Sequence, residues 1–394
     1  MAGEILLYGQ IAAAGLGLIP FAWHHLSCKN WMKYELEIPK EDSKLPITIL
    51  LPVWNEGLII EKKLADLAKQ QVKANLLLID SASSDDTVEK AKKWLKDFPD
   101  VFQNSEVIEM EKRLGKTAAV IQAVGHLKDF DGIVVMTDAD ATIATDSFSR
   151  IRNWFSDKTI GAVGGTPQRK GRNPSEKQHR DMFSSIRIAE SHYDSTPFLE
   201  GSLLAWRSNL LVPSDLYSKA NADDAQIATA IRLKGFRAIQ DSELYFQDYM
   251  PVSVKDQRRQ KVRRGQGLIR LLARKRKFWF SKPHGRFSRV LAMNSWMMLF
   301  SPLLLFIAMF VGLIRGVAYG IVNDLDLIIT IIEIYCITAW FTTRMNIPIP
   351  FMKTAGTVFY GLDNLLSGII LASTDNSLHM WDQHEEIREE IARN

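Results

Sequence analysis

Gly132-Ile133-Val134-Val135-Met136-Thr137-Asp138-Ala139-Asp140 runs six uncharged residues into two carboxylates spaced two apart. A short apolar run ended by a turn-forming acid reads as a strand buried on both faces. The two acids that follow offer hard oxygen ligands. Such ligands suit Mg²⁺ or Mn²⁺ bound together with substrate phosphates. An acid-x-acid triplet is common by chance, so its place at a strand end is what gives it weight.

Outward from this strand, residues 45 to 250 alternate strand and helix. Ile47–Leu51 is a strand closed by Pro52. Glu56–Gln70 has helical spacing, with Leu58, Leu64 and Leu67 on one face. Leu76–Ile79 is a second strand, ending at Asp80. Asp85–Lys96 reads as a helix entered through Ser83 and Ser84 as caps, and Glu106–Met110 as a third strand. Such alternation predicts an α/β fold, a mostly parallel sheet with helices on both faces. Ligands then bind beyond the carboxyl ends of the strands. Asp80 and Asp138 both stand there, although a turn role suffices for either alone. Asp223 and Asp224 open a helix over Ala225–Lys234 that Gly235 closes. Two acids at a helix start also complement its dipole.

Several chemistries are excluded. There is no phosphate-binding P-loop, no GxGxxG after a strand, no HExxH and no GxSxG. The histidines lack metal-ligand spacing. Two cysteines, Cys28 and Cys336, cannot form a disulfide framework or a four-cysteine zinc site.

The net charge of +4 hides an asymmetry: thirteen Lys or Arg and no acid lie between Gln257 and Arg289, leaving 4 − 13 = −9 elsewhere. Uncharged runs flank the middle of the chain. Ile5–Trp23 is nineteen residues long and Leu291–Ile314 twenty-four, enough to cross a hydrocarbon core. Pro302 would kink the second. Leu327–Thr343, interrupted by Glu333, is a third candidate; Thr354–Ser373, with Asp363 and Asn364 inside, is a weaker fourth. Lys29, Lys33, Lys40 and Lys44 follow the first span, so the positive-inside bias places the N-terminus outside and the middle in the cytosol. Four crossings would put the tail outside; an interfacial fourth segment would return it to the cytosol. Lys275, Lys277, Phe278, Trp279 and Phe280 suit a membrane interface better than nucleic acid. Pro174–Asp194, with Met182, Ile186, Ala189 and Tyr193 at helical spacing, suits a helix on the membrane or one packed on the sheet.

Taken in order, the motifs resemble the inverting glycosyltransferases of family 2, among them dolichol-phosphate-mannose, chitin, cellulose and hyaluronan synthases. Pro52-Val53-Trp54-Asn55-Glu56 is similar to that family's P-x-Y-N-E. Asp80-Ser81-Ala82-Ser83-Ser84-Asp85-Asp86-Thr87 is similar to its D-x-G-S-x-D-x-T, with Ala82 in the glycine place. Arg113-Leu114-Gly115-Lys116 resembles its G-K segment, and Asp138-Ala139-Asp140 its metal motif. Phe198-Leu199-Glu200-Gly201-Ser202 falls at its acceptor loop. Ala222-Asp223-Asp224 stands for T-E-D, and Gln260 to Arg264 for Q-x-x-R-W, with Arg264 in the tryptophan place.

The resemblance implies a GT-A-type catalytic domain and a division of labour. Pro52, Trp54, Asn55, Glu56, Asp80, Lys116, Asp138, Gln260, Arg263 and Arg264 would bind the nucleotide sugar. Asp138 and Asp140 would hold Mg²⁺ or Mn²⁺. Glu200, Gly201, Ser202 and Asp223 would face the acceptor, with Asp224 as general base. The expected layout is a transmembrane helix (1–28), a cytosolic catalytic domain (45–256), a basic and aromatic interfacial segment (257–289), two or three further spans (290–373) and an acidic tail (374–394). The expected activity is transfer of a sugar from a UDP- or GDP-sugar to a lipid-linked or membrane-proximal glycan acceptor. A processive synthase and a membrane-anchored nucleotidyltransferase are the alternatives. Membrane lipids are expected partners and nucleic acid is not.

Overall fold

The computed structural model describes residues 1–168, 174–249, 253–345, 347, 349–374, 378, 380 and 385–393. One eight-stranded sheet organises the middle of the chain. Its strands are β1 (Ile47–Val53), β2 (Asn75–Asp80), β3 (Ser105–Glu109), β4 (Ile133–Thr137), β5 (Thr142–Ile143), β6 (Ile160–Pro167), β7 (Leu203–Arg207) and β8 (Arg237–Gln247). They lie in the order β3-β2-β1-β4-β7-β6-β8-β5. The β3-β2-β1-β4 half and the β6-β8 pair are parallel, while β7 runs antiparallel between β4 and β6 and β5 antiparallel to β8. The expected α/β sheet is present, mixed but mostly parallel.

Alternation of side chains along β1 explains why both faces must be covered. Ile47, Ile49 and Leu51 join one core cluster, and Leu50 joins the other. The first face is covered by α2 (Ile60–Leu67), α3 (Thr87–Asp97) and α5 (Ser147–Trp154), the second by α4 (Lys116–His126) and α7 (Asp223–Leu233). Each fully buried Ile or Leu contributes ~1.5–3 kcal/mol. Two local expectations are corrected. α2 begins at Ile60, because the Glu56 carbonyl accepts the Ile59 and Ile60 N–H groups at 2.9 Å; Leu58 precedes the helix and is exposed. Ser83 and Ser84 do not cap α3; they bind Asp80 and Asn55.

The remaining helices are α1 (Ala2–Trp31), α6 (Pro174–Tyr193), α8 (Val254–Arg274), α9 (Gly285–Ser295), α10 (Ser301–Tyr319), α11 (Asp324–Arg344), α12 (Lys353–Ala372) and α13 (Glu385–Arg393). A π-turn over Trp296–Phe300 joins α9 to α10. Four helical segments are long and apolar enough to cross a membrane: Ala2–Trp31, Lys282–Tyr319, Asp324–Arg344 and Pro350–Ala372. α1, α10 and α11 leave large apolar side chains such as Ile19, Phe310 and Ile331 more than half exposed. A surface of this kind suits lipid better than water. Between these helices lies a buried polar network. Gln10 donates to Glu333 at 2.9 Å, and Arg315 pairs with Asp326 and reaches Gln10 at 3.2 Å. Polar groups inside an apolar bundle pair with one another in this way.

α6 is wedged between the sheet and the long apolar helices. Ala189 and Tyr193 pack against Cys28, Trp31 and Val290, and the Tyr193 ring stacks on Trp31 at 4.5 Å. Ser191 meanwhile accepts the Gln240 N–H of β8 at 2.8 Å. The apolar face around Ile186 is thus covered by protein; Met182 lies outside the described side chains. α8 carries the first half of the basic run and lies along α12. Arg258 pairs with Asp363 at 2.5 Å near the start of this contact, and Gln266 donates to the Leu371 carbonyl at 3.0 Å further along. Of the acidic tail, residues 375–377, 379, 381–384 and 394 lie outside the described residues. α13 packs back onto the sheet domain, where Lys62 donates to the carbonyls of Ile391 and Ala392 at 2.9 and 2.7 Å.

Candidate active site

Four segments far apart in sequence meet beyond the carboxyl end of β4. Asp138, the first residue past Thr137, accepts a bond from Lys116 Nζ at 2.5 Å and another from Ser202 Oγ at 3.2 Å. Lys116 opens α4 directly after Gly115, whose φ of 88° needs no side chain. Lys116 Nζ also lies 3.7 Å from Asp223. Burial opposes its charge, but Asp138 and Asp223 more than offset that and raise its pKa.

Asp224 Oδ2 accepts the Gly201 N–H at 3.1 Å, and its Oδ1 accepts the Ala225 N–H at 2.7 Å. The acid therefore ties the loop before β7 to the start of α7. A Cβ on Gly201 would lie 3.1 Å from Lys116 Nζ and 3.5 Å from Asp224 Oδ2, so glycine gives the closest backbone approach here. Burial, reinforced by Asp223, pushes the Asp224 carboxyl up to about 6 against the pull of Lys116. Glu200 pairs with Arg187 of α6.

Beyond β1 and β2 a second group forms. Asp80 accepts the Ser83 N–H at 2.9 Å and its hydroxyl as well. Ser83 Oγ then accepts the Asn55 N–H at 2.8 Å, and Asn55 Oδ1 accepts the Ser84 N–H at 2.8 Å. The motifs around Asn55 and Asp80 are thus one interlocked pair of loops. Asn55 and Ala82 both sit in the left-handed region, at φ of 53° and 57°. For alanine this costs roughly 1–2 kcal/mol, which explains why the resembling motif carries glycine there. Pro52 is buried within β1, and the Trp54 ring lies 3.4 Å below the Arg113 guanidinium.

A third group joins α13 to the loops after β1 and β4. Arg388 of α13 donates through Nε and Nη2 to both Glu56 oxygens, at 2.9 and 2.6 Å, and its Nη1 lies 3.3 Å from Asp140 Oδ2. Burial opposes the guanidinium charge, but Asp140 and Glu56 outweigh it and hold Arg388 protonated. Breaking such a buried pair typically costs ~3–5 kcal/mol. Beneath the loop, Lys63 donates to Thr137 Oγ1 at 2.9 Å and to the Ala141 carbonyl at 2.5 Å; burial pulls its pKa down to about 8.

The Q-x-x-R segment divides. Arg264 is exposed; desolvation works against its charge, but Glu200, Asp248, Asp224 and Asp138 raise its pKa. Arg263 donates through Nη1 to the Met380 carbonyl at 3.1 Å. Both it and Gln260 lie on α8.

Among the described residues no group of three or more His, Cys, Asp or Glu could hold a metal. Asp138 and Asp140 supply only a carboxylate pair. That fits a Mg²⁺ or Mn²⁺ site completed by phosphate and water, the usual way Mg²⁺ is held beside a nucleotide. It does not fit a closed protein cage.

Comparison with known proteins completes this geometry. The family profile described as Glycosyl transferase family 2 matches residues 48–211, and that described as Glycosyl transferase family group 2 matches residues 133–343, over half of the chain. The chain belongs to glycosyltransferase family 2. Among solved structures, the mannosyltransferase PcManGT from Pyrobaculum calidifontis, in complex with GDP-Man and Mn²⁺, matches at TM-score 0.76 and 24% identity, covering 94% of this chain and 100% of that one. TarS 1–349 from S. aureus, in complex with UDP-GlcNAc, matches at TM-score 0.44 and 14% identity, covering 83% and 91%. No curated protein matches the sequence.

In this family 2 chain, Lys116, Asp138, Gly201, Ser202, Asp223 and Asp224 come together, and Trp54, Asn55 and Asp80 form the adjoining loops. Sequence reading missed Arg388 and Lys63. Lys63 looked like any cation on an amphipathic helix. Arg388 sits in Glu385-Glu386-Ile387-Arg388-Glu389-Glu390-Ile391, where only Ile387 and Ile391 at i and i+4 hint at a docked face.

Proposed function

We propose that this protein is a membrane-bound, metal-dependent, inverting glycosyltransferase. It moves a sugar from a GDP- or UDP-sugar to a lipid-linked or membrane-proximal glycan acceptor. One observation carries the reading: Lys116, Asp138, Ser202, Asp223 and Asp224, from four separate motifs, meet at a single strand end. The loops joined by Asp80, Ser83 and Asn55 provide the nucleotide side. Asp80 holds Ser83 and keeps lone pairs for a base N–H. A divalent cation at Asp138 and Asp140 supplies positive charge for the departing diphosphate. Lys116 and the exposed Arg264 add donors suited to phosphate. On the acceptor side, Asp224 takes the proton of the attacking hydroxyl. The Gly201 N–H fixes the orientation of its carboxylate.

GDP-mannose is the first donor to test, since the mannosyltransferase matching along nearly the whole chain was solved with it. Purified full-length protein should release nucleoside diphosphate from one member of a nucleotide-sugar panel in the presence of Mn²⁺ or Mg²⁺. A single added sugar supports the reading, and a product ladder indicates a processive synthase. Release of pyrophosphate, or of nothing from any donor, would sink it.

The contacts also favour a topology. Arg258 and Arg344 both reach Asp363, in the middle of α12, at 2.5 and 3.2 Å. Arg258 belongs to the basic α8 and Arg344 ends α11, so the middle of α12 lies at their membrane face rather than at the bilayer centre. α1, α9–α10 and α11 then cross, and α12 runs along α8 at the cytosolic interface. Three crossings return α13 to the side of the sheet domain, where Arg388 meets Glu56. With Cys28 and Cys336 replaced by serine, a cysteine at Asn323 should be labelled by an impermeant thiol reagent on intact cells. Cysteines at Lys275 and Arg393 should be protected. External labelling at Arg393 would overturn this topology.

A further inference from the structure

Building on the metal-dependent transfer proposed above, we propose that Arg388 is a positioning residue. From the far end of the chain, it fixes Asp140 for the divalent cation and the donor diphosphate. Its fork is locked by Glu56, which accepts both Nε and Nη2 at 2.9 and 2.6 Å. That leaves Nη1 directed at Asp140 Oδ2, 3.3 Å away. Glu56 cannot drift: its N–H donates to Thr87 Oγ1 at 2.7 Å and its carbonyl caps α2. Glu56 and Arg388 are each only 7% exposed, so water cannot easily take over either partner. Ile387, 3% exposed, seats the same helix on the sheet domain.

The charge arrangement points the same way. Glu56, Asp138 and Asp140 bring three carboxylates to the ends of the neighbouring strands β1 and β4, and Lys116 pairs with Asp138. Arg388 bridges the other two. Without it Asp140 faces Glu56 and Asp138 with its guanidinium partner gone, and repulsion turns it from the geometry a cation needs. Groups that orient a metal ligand typically govern metal affinity by 10–100-fold.

The test uses full-length protein in detergent, with Mn²⁺ affinity followed by electron paramagnetic resonance and no sugar nucleotide present. Arg388→Gln should weaken Mn²⁺ binding by ~10–100-fold, and Arg388→Lys, which keeps the charge but not the fork, by a smaller factor. The Gln variant should also raise the donor KM more than it lowers kcat. Lys62→Gln serves as the control: it removes two bonds to the α13 backbone without touching Asp140, and should leave Mn²⁺ affinity unchanged. Wild-type Mn²⁺ affinity in a folded Arg388→Gln variant overturns the inference, as does an equal loss in Lys62→Gln. If Arg388→Gln does not fold, the Lys variant decides alone: a loss of about threefold or more supports the inference and none refutes it. Nucleoside diphosphate release by the wild type tests the proposed function separately, so either reading can fail without the other.

Discussion

Asp224→Asn should reduce turnover by ~10²–10⁴-fold, the range a positioned general base contributes, while GDP or UDP affinity stays nearly unchanged. The carboxylate accepts two backbone N–H groups, from Gly201 and from Ala225. Asparagine keeps one accepting oxygen, so α7 should still form and one of the two bonds is lost. Asp223→Asn should affect turnover much less, since Asp223 is buried and its nearest cation, Lys116, is 3.7 Å away. The pH dependence gives a second check. With its carboxyl pushed up to about 6, Asp224 is ionised and competent above that pH and protonated below it. The wild-type kcat/KM should therefore fall as pH drops through about 6, and Asp224→Asn should lose this limb. Equal losses in the two variants, or a loss of nucleotide binding in Asp224→Asn, would remove Asp224 from the base role.

The parts of this molecule that sequence exposes are those with a local signature. β4 is legible because six uncharged residues end at an acid, and the burial of every β1 residue follows from a mostly apolar run between two covered faces. The antiparallel placement of β7 is not legible, because Leu203–Arg207 carries no mark of strand direction and its partners lie some seventy and forty residues earlier. The motif residues were recognisable as an ordered set, yet their contacts were not. Nothing in Lys116 or Ser202 announces that both bind Asp138. Arg388 is the extreme case: its partner Glu56 is 332 residues away, and the short acidic helix that carries it reads as solvated. The same holds for Arg263, whose bond to the Met380 carbonyl, 117 residues on, has no mark in the motif. Side-chain direction on α8 depends on what packs beside it, which is α12 at Arg258 and Gln266 and the start of the tail at Arg263.

Excess chelator should abolish transfer, and added Mn²⁺ should restore it. Charge stabilisation by a bound divalent cation amounts to several kcal/mol of barrier, about a thousandfold or more in rate. Asp140→Ala should reproduce the chelator effect and weaken nucleotide-sugar binding only when metal is present. Asp140 is the cleaner position to vary. Asp138→Ala would strip Lys116 of its 2.5 Å partner and Ser202 of its acceptor, leaving Lys116 with Asp223 at 3.7 Å, so lost activity there would mix charge imbalance with lost metal. In Asp140→Ala the Arg388–Glu56 pair still satisfies the guanidinium through two bonds. Folding should survive, and thermal unfolding can verify that before turnover is read. Full activity in excess chelator would mean that Lys116, Arg264 and the loop N–H groups carry the diphosphate charge alone. Asp140 would then be only the acid that accepts Arg388.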